Sequence, residues 1–189
     1  IEENLEAFDI GPGNCMIDDW VRKNSRYNYD ENGSISKSGK IDQLILNQSI
    51  DNFKIDSFDK SLDVKDFDIS FARGLSLEDG CATITSFTAY LIAKGIEFIN
   101  GSNDKPIKIL LCGGGRKNIF LIQTIEDYLT NKKNISLSSI DDYNLDGDYV
   151  ESQAFGYLSI RSFLNLPISY PKTTGCKTPT VGGNLVKNF

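Results

Sequence analysis

The sequence predicts an α/β fold, and a stretch near the middle of the chain gives the main reason. The segment "IKILLC", residues 107–112, is a short continuous apolar run, which is typical of a buried parallel strand. Three glycines follow it, then a segment with helical apolar spacing from Ile119 to Leu129, and then the strand-like "ISLSSI" at residues 135–140. Strand, helix and strand in this order predict a βαβ unit with a parallel sheet and flanking helices.

The first part of the chain predicts a strand, a tight turn and a helix. Residues 5–10, "LEAFDI", have the composition of a strand. Pro12 and Gly13 stand at the second and third positions of residues 11–14, which suits a type II turn. Asn14 is placed to cap the next helix. The apolar spacing predicts that this helix buries Met16, Ile17, Trp20 and Val21.

A polar excursion and a long helix come next. Residues 24–66 are polar apart from the burst "IDQLILNQSI", which predicts a surface excursion with one short helix. Ser76 and the acidic residues after it match a capping box that opens a helix of roughly sixteen residues ending near Gly95. Small residues between its apolar positions predict close packing against a sheet.

Composition excludes several classes of function. The chain has 189 residues, of which 40% are hydrophobic and 24% charged, as in an ordinary globular protein. The net charge of −6 argues against nucleic acid or an anionic membrane as partner, so a small-molecule or protein ligand is favoured. No apolar run approaches the roughly 20 residues of a membrane helix. An acidic start unlike a signal peptide leads us to expect a cytoplasmic protein.

The cysteine and histidine content narrows the chemistry further. Cysteines occur at positions 15, 81, 112 and 176, a spacing that fits neither a zinc site nor a disulfide framework, so buried reduced thiols are expected. Histidine is absent from the sequence. Any acid–base chemistry must therefore use carboxylates, lysine or tyrosine.

The three glycines after the first strand are the main candidate for a ligand site. Gly113, Gly114 and Gly115 place unhindered amides at the carboxyl end of a parallel strand, where open α/β sheets bind ligands. The alternative is a tight strand-to-helix turn without a ligand. A dinucleotide fingerprint is disfavoured, because Asn118 replaces its third glycine.

Two carboxylates have open interpretations. Asp9 precedes a glycine-rich turn, so it either folds back onto the turn amides or faces a bound sugar or water while the amides hold a phosphate. A last long helix is predicted from near Asp148 to about Leu164, with Asp146 or Asp148 as its cap. Glu151 then lies in the first turns, where it is either dipole-stabilised surface or a site residue.

Four passages together resemble one known family. They are "FDIGPGNCMIDDW", "FARGLSLEDGCATITSFTA", "LLCGGGRKN" with "VESQAFGYLSIRS", and "LPISYPKTTGC" with the later "VGG". In this order and spacing they resemble the C-terminal half of the anhydro-N-acetylmuramic acid kinases.

The resemblance implies a fold and an activity. The fold is one ribonuclease-H-like lobe of the actin/hexokinase/Hsp70 ATPase superfamily over residues 1–189, with a mixed sheet flanked by helices and the excursion at residues 24–66 within it. The activity is the use of ATP, Mg²⁺ and water to open 1,6-anhydro-N-acetylmuramic acid and phosphorylate it to N-acetylmuramic acid 6-phosphate, in cell-wall recycling. A homodimer is also implied.

The same resemblance implies roles for single residues. Asp9 corresponds to the catalytic base and Glu151 to a residue that contacts the sugar. The nucleotide and its phosphates would be bound by Gly11, Gly13, Asn14, Gly113, Gly114, Gly115 and Asn118. Ile10 stands where the family usually has threonine, which removes a hydroxyl group beside the phosphate turn.

Two other classes of function remain as alternatives. One is a nucleotide- or sugar-binding module without catalysis, and the other is an NAD-dependent oxidoreductase built on the glycine loop. Because the resemblance covers one lobe of a two-lobe kinase, we expect this chain by itself to have little kinase activity.

Overall fold

A computed structural model of the chain describes residues 5–53, 62, 64–101 and 105–186. These residues belong to two compact units, which we describe one at a time. The larger unit is formed by Asp9–Gly147, and the smaller unit by Ile1–Phe8 with Asp148–Phe189.

Helices predominate in the larger unit. Its elements, in chain order, are α1 (Cys15–Asn24), α2 (Ser34–Ser38), α3 (Gln43–Asn52), α4 (Leu77–Asn100), β1 (Ile107–Leu111), α5 (Ile119–Tyr128) and β2 (Ile135–Ser139). Short 3-10 helices connect several of them. No helix among the described residues is long and apolar enough to cross a membrane.

The central helix α4 organises the core of the larger unit, since it contacts α1, α2, α3 and α5. One apolar cluster joins it to α1, and the predicted burial on α1 is confirmed for Met16, Ile17, Trp20 and Val21. A second cluster joins the far end of α4 to α5 and the sheet. This core holds the loops at the ends of α1 and β1 in place.

The helix α4 begins as predicted but ends later. The Ser76 hydroxyl accepts a hydrogen bond from the Asp79 amide at 3.0 Å, which confirms the cap. The predicted end near Gly95 is wrong, because the helix continues to Asn100. Gly95 serves close packing instead: a Cβ there would lie only 2.8 Å from Cγ2 of Ile10.

The βαβ prediction is confirmed. Strands β1 and β2 pair in parallel, with Ile107 opposite Ile135 and Leu111 opposite Ser139. The predicted continuous burial of the first strand is wrong, because its residues alternate and Leu110 is 44% exposed. Within the described residues helices cover one face of this two-stranded sheet, and Ile119 at the start of α5 is also exposed.

The predicted N-terminal strand and turn need correction. Residues 5–10 form no regular element, because the described residues offer them no adjacent strand with which to pair. The turn closes one residue later than predicted, with a hydrogen bond of 3.1 Å from the Cys15 amide to the Pro12 carbonyl. Gly13 takes the positive φ of 55° that this turn requires.

The smaller unit contains α6 (Val150–Phe163) and α7 (Pro171–Thr174), so the last long helix is confirmed. Its predicted cap by Asp146 or Asp148 is wrong, since Tyr149 holds the cap position and its side chain makes no capping bond. The Arg161 guanidinium donates hydrogen bonds of 2.7 Å to the Pro167 carbonyl and to the Tyr170 hydroxyl. Polar contacts of this kind hold the unit together.

The expectation of buried thiols holds for one cysteine. Cys81 is buried, whereas Cys15 and Cys112 are exposed and Cys176 is intermediate; none forms a disulfide. Burial raises the pKa of the Cys81 thiol to about 12, so this group stays protonated.

Candidate functional site

A cavity of about 440 Å³ in the larger unit brings three of the predicted site residues together. We call it the glycine-loop pocket. Its lining residues are Asn14, Asp18, Tyr29, Asp30, Glu31, Asn32, Gly114, Lys117 and Asn118. The sequence predicts Asn14, Gly114 and Asn118 as site residues, and it does not predict the other six.

The glycine loop presents open backbone to this pocket. Gly113 has φ 73° and ψ −179°, a conformation that glycine adopts readily and other residues avoid. Gly114–Lys117 then form a turn of 3-10 helix. A Cβ atom on Gly113 or Gly114 would meet no atom within 4 Å, so the loop borders open space on that side.

Asn14 contributes a buried polar atom that has no partner. It lies at the start of α1, but its side chain makes no capping bond, so the predicted cap is wrong. Its Oδ1 atom is buried without a hydrogen bond. Since leaving a buried acceptor unsatisfied costs about 1–3 kcal/mol, this atom marks a position where a ligand donor would be stabilising.

Asn118 joins the glycine loop to the polar excursion. Its Oδ1 atom caps α5 by accepting a hydrogen bond of 3.0 Å from the Leu121 amide. Gly33, which has φ 73°, packs directly on this side chain, and a Cβ there would also lie 2.9 Å from the Phe120 amide. Residues 29–32 of the predicted surface excursion therefore form one wall of the pocket.

A buried carboxylate fixes that wall. Asp30 is 5% exposed, and its two oxygens accept hydrogen bonds of 2.7 and 3.0 Å from the amides of Ile35 and Ser36. The Ser36 hydroxyl donates to Asp30 at 2.6 Å and lies 2.9 Å from the Thr85 hydroxyl on α4. This network attaches the excursion to the central helix.

Asp18 gives the pocket an unusual carboxyl group. Burial raises the pKa of Asp18; Arg22 opposes this shift and the negative charge of Asp30 adds to it. Asp18 lies one helical turn after Asn14, so both side chains share one face of α1. With Asp30 and Glu31 nearby, the pocket is rich in hydrogen-bond acceptors.

The remaining predicted residues lie outside the glycine-loop pocket. Asp9 is exposed, and its carbonyl accepts a hydrogen bond of 3.2 Å from the Leu62 amide. Gly11 packs on α4, where a Cβ would be 3.5 Å from Cβ of Leu91, while Gly13 borders open space. Glu151 lies in the first turn of α6 in the smaller unit and is exposed.

The sequence gives only weak signals for the lining residues that it did not predict. Asp18 follows Asn14 at helical spacing, which could have placed it at the site. Asn32 and Gly33 form a turn signature, which by itself is typical of a surface loop. The sequence offers no signal for the contact between Gly33 and Asn118, because these residues lie far apart in the chain.

The lining of the pocket combines open backbone with hydrogen-bond acceptors. The unhindered backbone at Gly114 suits phosphate or ring atoms, and the acceptors suit ribose hydroxyl and amine donors. Among the described residues no group of three or more Asp, Glu, Cys or His side chains could hold a metal ion.

Comparison with known proteins gives one consistent result. A family model described as anhydro-N-acetylmuramic acid kinase matches residues 2–188. The chain is 52% identical over 190 residues to the anhydro-N-acetylmuramic acid kinase of Pelagibacter ubique, covering 99% of this chain and 50% of the relative. The proteins of the same name from Zymomonas mobilis and Caulobacter vibrioides are 39% and 37% identical, each covering 97% of this chain and 49% and 48% of the relative. The chain thus spans about half the length of these curated relatives, and it belongs to the anhydro-N-acetylmuramic acid kinase family.

Proposed function

We propose that this chain is the nucleotide-binding half of an ATP-dependent sugar kinase. The full-length protein, meaning this chain together with the other half present in its relatives, opens 1,6-anhydro-N-acetylmuramic acid and forms N-acetylmuramic acid 6-phosphate. The fold is a ribonuclease-H-like lobe, the cosubstrates are ATP with Mg²⁺ and water, and the setting is cell-wall recycling in the cytoplasm by a homodimer.

One observation supports this proposal most strongly. Gly114 of the glycine loop, Asn14 and Asn118 line a single cavity, and the buried Oδ1 atom of Asn14 has no hydrogen-bond partner. The proposal extends the nucleotide contacts to Gly11, Gly13, Gly113 and Gly115, which stand close in sequence to the lining residues Asn14 and Gly114.

The chemistry assigns the proton transfer to Asp9. Its exposed carboxylate accepts a proton from water as the water oxygen attacks C1 of the sugar. The bond between C1 and O6 breaks, and O6 then attacks the γ-phosphorus of ATP with release of ADP. Glu151 accepts hydrogen bonds from the sugar hydroxyl groups and orients the ring.

An Asp9→Asn substitution in the full-length protein tests the proposal. Loss of a general base lowers kcat by about 10²–10⁴-fold, whereas KM for ATP stays within about twofold because the nucleotide contacts remain. ADP release with the anhydro sugar as substrate is the measurement.

Asp19→Asn is the matched control, since Asp19 is a surface carboxylate paired with Lys23 at 2.8 Å. It should leave kcat unchanged. Equal turnover of Asp9→Asn and the unsubstituted protein would contradict the assignment. ATP binding without any turnover in the unsubstituted protein would favour a binding module.

A further inference from the structure

Arg116, directly after the three glycines, has a side chain that points back to the loop. Its side chain is only 6% exposed. Its Nε and Nη2 atoms donate to the two oxygens of Asp141 at 2.6 and 3.1 Å, in a two-pronged ion pair. Its Nη1 atom donates to the carbonyl of Gly113 at 2.9 Å.

The ion pair is part of a hydrogen-bond network around Gly113. Asp141 also accepts hydrogen bonds of 2.7 Å from the Ser139 hydroxyl and 2.9 Å from the Gly147 amide. The Gly147 carbonyl in turn accepts a bond of 3.0 Å from the Gly113 amide. The Gly113 amide is therefore bonded to the segment that follows β2, and the Gly113 carbonyl is bonded to the Arg116 side chain that Asp141 holds.

The neighbouring backbone leaves space for this guanidinium. Gly147 is buried, and a Cβ on it would lie 2.6 Å from Cζ of Arg116. A methyl group at position 147 would thus displace Arg116 without changing any charge.

These hydrogen bonds can order a loop of three glycines before a ligand binds. Glycine loses more conformational freedom on ordering than any other residue, so an untethered Gly113–Gly115 loop would sample many arrangements. Ordering it during binding weakens affinity, and ordering it in advance avoids that loss. Because Gly113 has a conformation open mainly to glycine, bonds to both its polar groups define where the next amides point.

We infer that Arg116 is a positioning residue for the nucleotide: through Asp141 and Gly147 it holds Gly113 so that the glycine loop is preformed for ATP. This inference rests on the proposed function, because the ligand of the loop is the nucleotide assigned there. It adds Arg116, Asp141 and Gly147 to the determinants of ATP affinity, although none of them needs to touch ATP.

Arg116→Lys and Gly147→Ala in the full-length protein test the inference. Lysine keeps the charge but loses the two-pronged geometry, and Gly147→Ala moves Arg116 sterically. Each should raise KM for ATP by about tenfold while KM for the sugar stays within about twofold, a split that general destabilisation would not produce. Gly156→Ala is the control, because a Cβ there meets no atom within 4 Å.

Thermal shift with a non-hydrolysable ATP analogue separates the possible failures. If the unsubstituted protein is not stabilised by the analogue, the proposed function fails. If that protein is stabilised and both variants have the same KM for ATP as the control, the positioning role of Arg116 is wrong. A variant that does not fold is replaced by Asp141→Asn, which must show the same selective rise in KM for ATP or the inference fails.

Discussion

The larger and the smaller unit use their apolar residues in opposite ways. In the larger unit α4 alone has fifteen buried residues, and the large apolar ones among them include Ile84, Phe87 and Leu91. In the smaller unit none of the described residues is fully buried, and α6 exposes Phe155 by 70%, Ile160 by 61% and Phe163 by 68%. Apolar burial is the main favourable contribution to folding, so the two units differ in what stabilises them.

This difference explains where a precise site can be built. The glycine-loop pocket lies on elements fixed by the α4 core, and hydrogen-bond networks at Asp30 and Arg116 stabilise the segments around it. Residues such as Glu151 belong to a unit that is held by surface hydrogen bonds. We expect preformed nucleotide contacts in the first case and adaptable contacts in the second.

The largest expected effect comes from removing core volume. Leu91 on α4 is fully buried, so Leu91→Ala should lower the free energy of unfolding of the 189-residue chain by about 2–5 kcal/mol. Phe155→Ala on α6 should change it by no more than about 0.5 kcal/mol, because the ring is 70% exposed. Denaturant unfolding measures both, and similar losses would contradict the contrast between the units.

The next effect concerns the Asp30 network. Asp30→Ala leaves the Ser36 amide and hydroxyl buried without their acceptor, which should lower the free energy of unfolding by about 3 kcal/mol. Asp19→Ala, at an exposed ion pair, should cost no more than about 0.5 kcal/mol. If Asp30→Ala costs as little as that, the network does not anchor the excursion.

A smaller effect is expected where the excursion meets Asn118. Gly33→Ala places a methyl group against Asn118 and Phe120 at a φ of 73°, so the free energy of unfolding should fall by about 1–3 kcal/mol. Because Asn118 lines the pocket, nucleotide affinity should fall as well. Gly156→Ala should instead be neutral or stabilising, since it lies in an exposed helix. Unchanged nucleotide affinity in a folded Gly33→Ala protein would show that this wall of the pocket does not contribute to nucleotide binding.

The smallest effect depends on pH. Because the pKa of Asp18 is raised in the folded protein, ionisation of this carboxyl group opposes folding. The neutral carboxyl group contributes stability below its ordinary pKa of 3.8, and that contribution is lost as pH rises through the raised pKa. Asp18→Asn should therefore raise the free energy of unfolding slightly at pH 7, by no more than about 0.5 kcal/mol. The gain should vanish near pH 3. A gain that persists at acid pH would show that charge is not the cause.

Local pattern predicted much of the larger unit but little of its pocket. The βαβ unit and the buried face of α1 follow from apolar spacing, which any chain segment displays by itself. The segment 5–10 failed as a strand because pairing depends on a neighbour. The bond between Ser36 and Thr85 joins residues 49 positions apart, and no short window of sequence contains both.

Hydrogen exchange of the full-length protein, with and without a non-hydrolysable ATP analogue and Mg²⁺, tests the central claim that ATP binds at the glycine-loop pocket. We expect slower exchange by about fivefold or more in the segments 114–118 and 14–18, because each segment contains residues that line the pocket. If the analogue raises the melting temperature while exchange at both segments stays unchanged, the nucleotide binds elsewhere and the account is contradicted.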